Sequence, residues 1–267
     1  MIRFILVAAT VIGFLVFGIP LLLVEWLIGK KNRHLRDVQS LKTVQAVFRM
    51  CLWLSGVKLT VKGQEHIPTD RAVLYVGNHR SYFDILVGYV TVPGLTGFVA
   101  KKEMEKIPLL SNWMRYLNCL FLDRHNIKEG LKTILEGIDQ VKKGVSVWIF
   151  PEGTRGGQEN LLDILPFKEG SLKIAEKGGC PVVPVAITGT AEVFEKHLPF
   201  IRPSHVTIEF GTPFFIRELE PELKKFPGAY VEKQIKALLR EELASQGKLP
   251  PEEAYIQTDK TKEYEDL

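Results

Sequence analysis

The residues best equipped for chemistry sit in one short run, Asn78-His79-Arg80-Ser81-Tyr82-Phe83-Asp84, directly after the apolar segment AVLYVG. A histidine followed five residues later by an aspartate, at the junction of a strand and a helix, suits proton transfer. A helix beginning near Ser81 swings Asp84 back toward the loop carrying His79. Its carboxylate then accepts from the imidazole Nδ1–H and leaves Nε2 free as a base. The acidic partner fixes the tautomer and stabilises the imidazolium that forms. No serine is placed as an obvious nucleophile, and Ser81 is better suited to capping the helix. The hydroxyl to be deprotonated is therefore expected to be a substrate's own. The same spacing occurs in purely structural turns, so the pair gains weight only from its surroundings.

A second run, Phe150-Pro151-Glu152-Gly153-Thr154-Arg155-Gly156, ends the apolar segment VSVWIF. A buried strand closing in this loop exposes backbone amides, a hydroxyl, a carboxylate and a guanidinium around one turn. Arg155 is suited to gripping a phosphate in two-pronged fashion, with Glu152 either fixing Arg155 or contacting a substrate hydroxyl. A surface turn with a local Glu–Arg pair would read the same way. A third segment, Phe121-Leu122-Asp123-Arg124, offers another arginine at a strand end. Val183-Pro184-Val185 is apolar, so it can line an acyl path but cannot do acid–base work. Lys101 and Lys102, after GFVA, and Lys168 and Gly170, in LPFKEGS, are further candidates to border a site, although solvated lysines are common.

These runs need elements to hold them. Segments rich in Val, Ile, Leu and Phe predict strands at 57–62, 72–76, 97–100, 119–122, 145–150, 182–187 and 205–210. Helical patterns fall at 81–89, 108–117, 127–142, 170–177 and 228–245. Strands alternating with helices predict an α/β domain around a largely parallel sheet, with the chemistry gathered at strand ends. No internal repeat, Gly-rich phosphate loop or dinucleotide fingerprint is present.

The N-terminus departs from this pattern. Residues Phe4 to Val24 carry no charged side chain, and as one helix they would span about 31 Å, close to a bilayer's hydrocarbon thickness. The apolar stretch runs through Trp26, Leu27 and Ile28 into KKNRHLR without a cleavage signature, which predicts a retained anchor. Spanning is the expectation, with Gly13, Gly18 and Pro20 allowing instead a hairpin or a helix within one leaflet. Lys30, Lys31, Arg33 and Arg36 outnumber Arg3 and the amino terminus, placing the rest of the chain on the cytoplasmic face, with that patch open to anionic headgroups. A second amphipathic stretch, Val38 to Leu54, suits either the headgroup layer or packing on the domain.

Across 267 residues the chain is 46% apolar and 25% charged, with a net charge of +4, which excludes mostly disordered and polytopic membrane classes. The small charge excess, with its basic cluster next to the anchor, gives no sign of nucleic-acid binding. Cys51, Cys119 and Cys180 are odd in number and far apart, which argues against a disulfide framework or cysteine-ligated metal. No histidine outside the first run shows metal-ligand spacing, and no metal is expected.

In this order and at these intervals, NHRSYFD, FLDR, FPEGTRG and VVPVAI resemble the four motifs of the glycerolipid acyltransferases, specifically the bacterial 1-acylglycerol-3-phosphate acyltransferases, across residues 57–215. The resemblance implies a glycerolipid-acyltransferase-like αβ domain at 56–249. It would be preceded by a hydrophobic membrane-anchoring region at 1–55 and followed by an acidic tail at 250–267. It places the catalytic pair on His79 and Asp84, and the acceptor-phosphate contacts on Arg124, Glu152 and Arg155, with Gly153 shaping the loop. Lys101, Lys102 and Pro184 are further candidate substrate contacts. Many relatives carry a glycine shortly before the second-motif arginine, where this chain has Asn118 or its neighbours. The implied reaction moves a fatty acyl group from a thioester, acyl-CoA or acyl-ACP (acyl carrier protein), to the 2-hydroxyl of lysophosphatidic acid, forming phosphatidic acid. No cofactor beyond that co-substrate is implied, and the partners are membrane phospholipids and the two substrates. The tetrahedral oxyanion would need donors, for which amides near Gly77 to Arg80 or Gly153 are candidates. Another lysophospholipid or glycerol 3-phosphate could serve as acceptor, and a non-catalytic lipid-binding protein is the rival class.

Overall fold

A computed structural model describes residues 1–251; the acidic tail expected at 250–267 lies, from 252 onward, outside the described residues. All seven expected strands form, each within two residues of its expected bounds: β1 (Lys58–Lys62), β2 (Leu74–Gly77), β3 (Thr96–Lys101), β4 (Leu120–Leu122), β5 (Ser146–Ile149), β6 (Val182–Thr188) and β7 (His205–Phe210). They build one sheet in the order β1-β7-β6-β2-β5-β3-β4. Pairing is parallel throughout except between β6 and β7. The connection from β6 to β7 contains only a four-residue helix, α8 (Thr190–Val193), and a short 3-10 turn, Glu195–His197. That is too little helix to carry the chain back along the sheet for a parallel return.

Pro184 is tolerated in the central strand β6 because the β7 ladder begins opposite Val185, and Pro184 contributes only its carbonyl, which accepts from the Gly211 amide at 2.8 Å. Five strands thus point their C-terminal ends the same way. The chain leaves β2 toward β3 on one side, and leaves β5 for β6 on the other. Connections that diverge between neighbouring strands open a crevice at their C-terminal ends, the usual ligand position in α/β sheets.

Helices cover both faces. On one lie α3 (Arg33–Ser55), α4 (Phe83–Thr91) and α5 (Leu110–Tyr116), preceded by α1 (Ile2–Phe17) and α2 (Ile19–Lys31). On the other lie α6 (Ile127–Lys142), α7 (Lys173–Gly178) and α10 (Pro227–Ser245), the last preceded by the single-turn α9 (Pro221–Lys225). The helix expected at 170–177 is divided into a 3-10 turn, Glu169–Leu172, and α7. Val231, Ile235 and Leu239 of α10 are fully buried, as their helical spacing requires. Under the site end of the sheet, Trp148 stacks on Phe98 at 5.0 Å and on Tyr75 at 5.1 Å. Each such pair contributes about 0.5–1.5 kcal/mol beyond area burial.

The expected single spanning helix does not form. The apolar stretch breaks at Gly18 into α1 and α2, bent by 51°. No single helix among the described residues is long and apolar enough to cross a membrane; the bent pair passes that test only together. A Cβ at Gly18 would collide with the Phe14 carbonyl, and Pro20 occupies the first turn of α2, where its missing N–H leaves no bond unmade. One side of α1 lies on the domain, with Phe4 stacked on Phe194 at 5.9 Å and Phe14 against Trp113 at 4.8 Å. The other side exposes Ile2, Ile5, Leu6, Ile12, Val16 and Phe17.

Of the two readings of the second amphipathic stretch, packing on the domain is the observed one. Helix α3 buries Leu41, Val44, Cys51 and Leu52 and ends at Gly56, whose left-handed φ of 74° favours glycine. Arg36 is drawn inward, 2.6 Å from Asp37 and over the Tyr116 ring, so it is not part of the outward basic patch; Lys30, Lys31 and Arg33 remain exposed.

The three cysteines are free. Burial pushes the Cys51 thiol up to about 11 and the Cys180 thiol up to about 12. Both are expected to resist a thiol-disulfide reagent in the native protein at mildly alkaline pH and to react fully on denaturation. Rapid native labelling of both, measured by absorbance of the released thiolate, would contradict this packing.

Candidate active site

The turn after β2 is held from three sides. Asn78, fully buried, brackets β6: its Nδ2 donates to the Ile187 carbonyl at 2.9 Å, and its Oδ1 accepts from the Ile187 amide at 2.8 Å. The His79 amide donates to Glu152 Oε1 at 2.7 Å, and the His79 carbonyl accepts from the Gly156 amide at 2.8 Å. Helix α4 then turns Asp84 back under the loop, as its place in the helix's first turn allows.

Asp84 Oδ2 accepts from His79 Nδ1 at 2.8 Å, from the Arg80 amide at 2.7 Å and from the Ser81 amide at 2.8 Å. The carboxylate is wholly buried, while the imidazole keeps 15% of its side-chain surface. The His79 ring lies flat on Phe150, 4.1 Å between centroids and 9° between planes. With Nδ1 bound to the carboxylate and one ring face covered, the imidazole has one orientation. Its Nε2 makes no hydrogen bond among the described residues. Ser81 Oγ accepts from the Phe83 amide at 3.0 Å, at the helix start, and makes no hydrogen bond to the His79 imidazole.

One of the two roles expected of Glu152 is corrected: it does not pair with Arg155, and it is 6% exposed, with Oε1 on the His79 amide and Oε2 accepting from the Leu165 amide at 3.2 Å. Burial raises its carboxyl above the usual range, opposed by those two amides. Three of the amides suggested for an oxyanion are engaged: those of His79 and Arg80 serve carboxylates, and that of Gly153 donates to the Phe150 carbonyl at 3.0 Å.

Gly153 has φ 78°, and a Cβ there would stand 2.8 Å from the Lys168 ammonium, so the loop folds tightly over that side chain. Lys168 makes no ion pair among the described residues. Arg155 does: its Nη1 lies 3.0 Å from Glu195 Oε1, and its guanidinium sits 3.8 Å over the Tyr82 ring.

The remaining residues divide. At the C-terminal ends of β3 and the edge strand β4, Lys102 pairs with Asp123 at 3.1 Å, Lys101 lies 3.6 Å from Glu103, and Arg124 is exposed without an ion pair among the described residues. Backbone amide and Lys102 bonds hold the Asp123 carboxyl below its usual range. Asn118 adopts φ 58°, a left-handed conformation that asparagine enters more readily than most residues, so the chain keeps the glycine-like turn without the glycine. Pro184 is not brought to the histidine. It is buried mid-strand with the parity of Val182 and Ala186, which pack in the core on the α10 face, whereas Phe150 and Phe98 beside His79 belong to the other core. Glu195 has no signal in the sequence, since it lies forty residues from Arg155 and meets it only through the fold. The bracketing role of Asn78 and the ring contact of Phe150 were likewise unread, although both residues fall inside the motif runs.

Comparison with known proteins gives the same assignment. The family model described as "Acyltransferase" matches residues 58–188, which contain all the motif segments. A 1-acyl-sn-glycerol-3-phosphate acyltransferase of Saccharomyces cerevisiae is 32% identical over 191 residues, 71% of this chain and 60% of that protein. One from Cocos nucifera is 35% identical over 175 residues, 65% and 55% respectively. This chain thus spans between half and two thirds of these curated relatives' length. The crystal structure of the 1-acyl-sn-glycerophosphate (LPA) acyltransferase from Thermotoga maritima superimposes with a TM-score of 0.74 at 30% identity, covering 90% of this chain and 92% of that one. Shared sequence and shared fold over nearly the whole of both molecules leave one conclusion: the chain belongs to the 1-acyl-sn-glycerol-3-phosphate acyltransferase family.

Proposed function

We propose that this chain transfers a fatty acyl group from an acyl thioester, acyl-CoA or acyl-ACP, to the 2-hydroxyl of 1-acylglycerol 3-phosphate, forming phosphatidic acid and releasing the thiol. The observation that carries this reading is the 2.8 Å contact between His79 Nδ1 and buried Asp84, which leaves Nε2 unengaged at the C-terminal end of the sheet. His79 Nε2 takes the acceptor's hydroxyl proton as the oxygen attacks the thioester carbonyl. The tetrahedral intermediate collapses, the C–S bond breaks, and the imidazolium returns the proton to the leaving thiolate. Ser81 Oγ accepts from the Phe83 amide at the helix start and makes no hydrogen bond to His79, which supports direct attack by the substrate over an acyl-enzyme.

The acceptor phosphate goes to Arg155, with Arg124, Lys101 and Lys102 supplying positive charge at the same end of the sheet. Gly153 allows the loop to fold beside Lys168, whose ammonium serves as an oxyanion donor where the His79, Arg80 and Gly153 amides are already engaged. Glu152 acts from behind the site by fixing the His79 backbone. Residues 1–55 form the membrane-associating unit and 56–249 the catalytic unit. The apolar outer face of α1 and α2 enters one leaflet, and exposed Lys30, Lys31 and Arg33 hold the protein to the cytoplasmic face of the membrane. Membrane phospholipids are therefore its surroundings and its product class.

The detergent-purified protein is expected to form phosphatidic acid from oleoyl-CoA and lysophosphatidic acid, with lysophosphatidylcholine and glycerol 3-phosphate much poorer acceptors. His79→Ala should lower kcat by about 10²–10⁴-fold, the range for loss of a general base. Turnover with another acceptor alone would move the acceptor assignment, and substantial activity in His79→Ala would remove the base. Deleting residues 1–31 should release the protein from liposomes in a flotation assay; undiminished binding would shift the membrane contact to α3, which exposes Met50 and Trp53.

A further inference from the structure

We propose that Glu195, which lies outside all four motif segments, is the positioning residue that orients Arg155 toward the acceptor phosphate. This rests on the reading of Arg155 as the phosphate-holding arginine. Glu195 Oε1 accepts at once from Arg155 Nη1 at 3.0 Å and from the Tyr82 backbone amide at 2.8 Å. The Tyr82 ring lies 3.8 Å beneath the same guanidinium. One contact holds an edge of the guanidinium and the other holds a face, which fixes both the position and the plane of a group that is otherwise free to rotate. Among the described residues only Nη1 is engaged, so Nη2 and Nε remain to grip a phosphate.

The clamp also registers Arg155 to the base. Tyr82 lies between His79 and Asp84 in the chain, so a carboxylate bound to its amide ties the guanidinium to the turn that holds the imidazole. Phosphate and hydroxyl belong to one small acceptor molecule, and a fixed distance between their two protein partners favours attack geometry. The turn bearing Glu195 is itself wedged. Phe194 stacks on Phe4 of α1 at 5.9 Å and approaches Phe83 of α4 at 6.5 Å. Lys196, the adjacent cation, is drawn away to Glu192 at 2.8 Å and does not compete for Glu195. Helix α1 thus buttresses the clamp from the membrane side.

The test compares kcat and both KM values for the full chain in detergent with Glu195→Ala, Glu195→Gln, Arg155→Ala and the Arg155→Ala/Glu195→Ala pair. Losing a charge-assisted bond should raise the lysophosphatidic acid KM about tenfold in Glu195→Ala, leaving the oleoyl-CoA KM unchanged. Glu195→Gln keeps an oxygen for both donors and should cost about threefold or less, which separates positioning from misfolding. On the Arg155→Ala background, removing Glu195 should change the acceptor KM by less than about twofold, because it acts through that arginine. An unchanged or lowered acceptor KM in Glu195→Ala overturns the proposal, as does an undiminished effect in the double variant. If Arg155→Ala itself leaves the acceptor KM unmoved, the phosphate reading falls and takes this proposal with it.

Discussion

Everything the site can do depends on Asp84 Oδ2 receiving three donors at once, His79 Nδ1 and the amides of Arg80 and Ser81. Two backbone bonds keep the carboxylate from rotating away, so the third holds the imidazole in one tautomer and one direction. The geometry is local, because α4 begins so soon after the strand that its first turn faces its own entry loop. It is also insulated: Asp84 is buried, and a charge in that position is tolerated only because its bonds are made within the turn. Phe150 stacked on the histidine ring adds a wall from a strand that is distant in sequence.

The sheet supplies what the turn cannot. Parallel β2 and β5 lie side by side, so the loops after them meet, and Glu152 reaches across to the His79 amide. Asn78 reaches the other way to β6. The base is thus fixed to both neighbours of its strand through backbone bonds. The layer of stacked rings beneath, Trp148 with Phe98 and Tyr75, gives the strand ends a stiff floor. The broken N-terminal helix pair lies on the same face as α4, which brings the apolar surface of α1 close to the helix that carries Asp84.

Much of this was legible in the residues. Strand positions were plain because buried parallel strands are continuous apolar runs, and VSVWIF or VVPVAI can hardly be anything else. The His79–Asp84 contact followed from helix geometry alone. Of the two N-terminal readings the sequence left open, the straight helix fails because apolar length says nothing of direction, and Gly18, followed by Pro20, decides the bend. The antiparallel β7 was hidden for a related reason, since pairing direction depends on how a connection travels. The expected pairing of Glu152 with Arg155 fails because a carboxylate beside an arginine in sequence suggests a pair, whereas the loop turns the two side chains apart and gives each a distant partner. Glu195 could not have been found at all, because its only distinguishing property is its place.

The measurement closest to the central claim is kcat for phosphatidic acid formation by Asp84→Asn, which keeps an oxygen acceptor for the Arg80 and Ser81 amides while removing the charge. The account predicts a fall in kcat of about 10²–10⁴-fold, with KM for both substrates little changed, because only proton transfer is impaired. A kcat near that of the parent protein, or a loss confined to KM, would contradict it, and His79 would then be a structural histidine in a well-made turn.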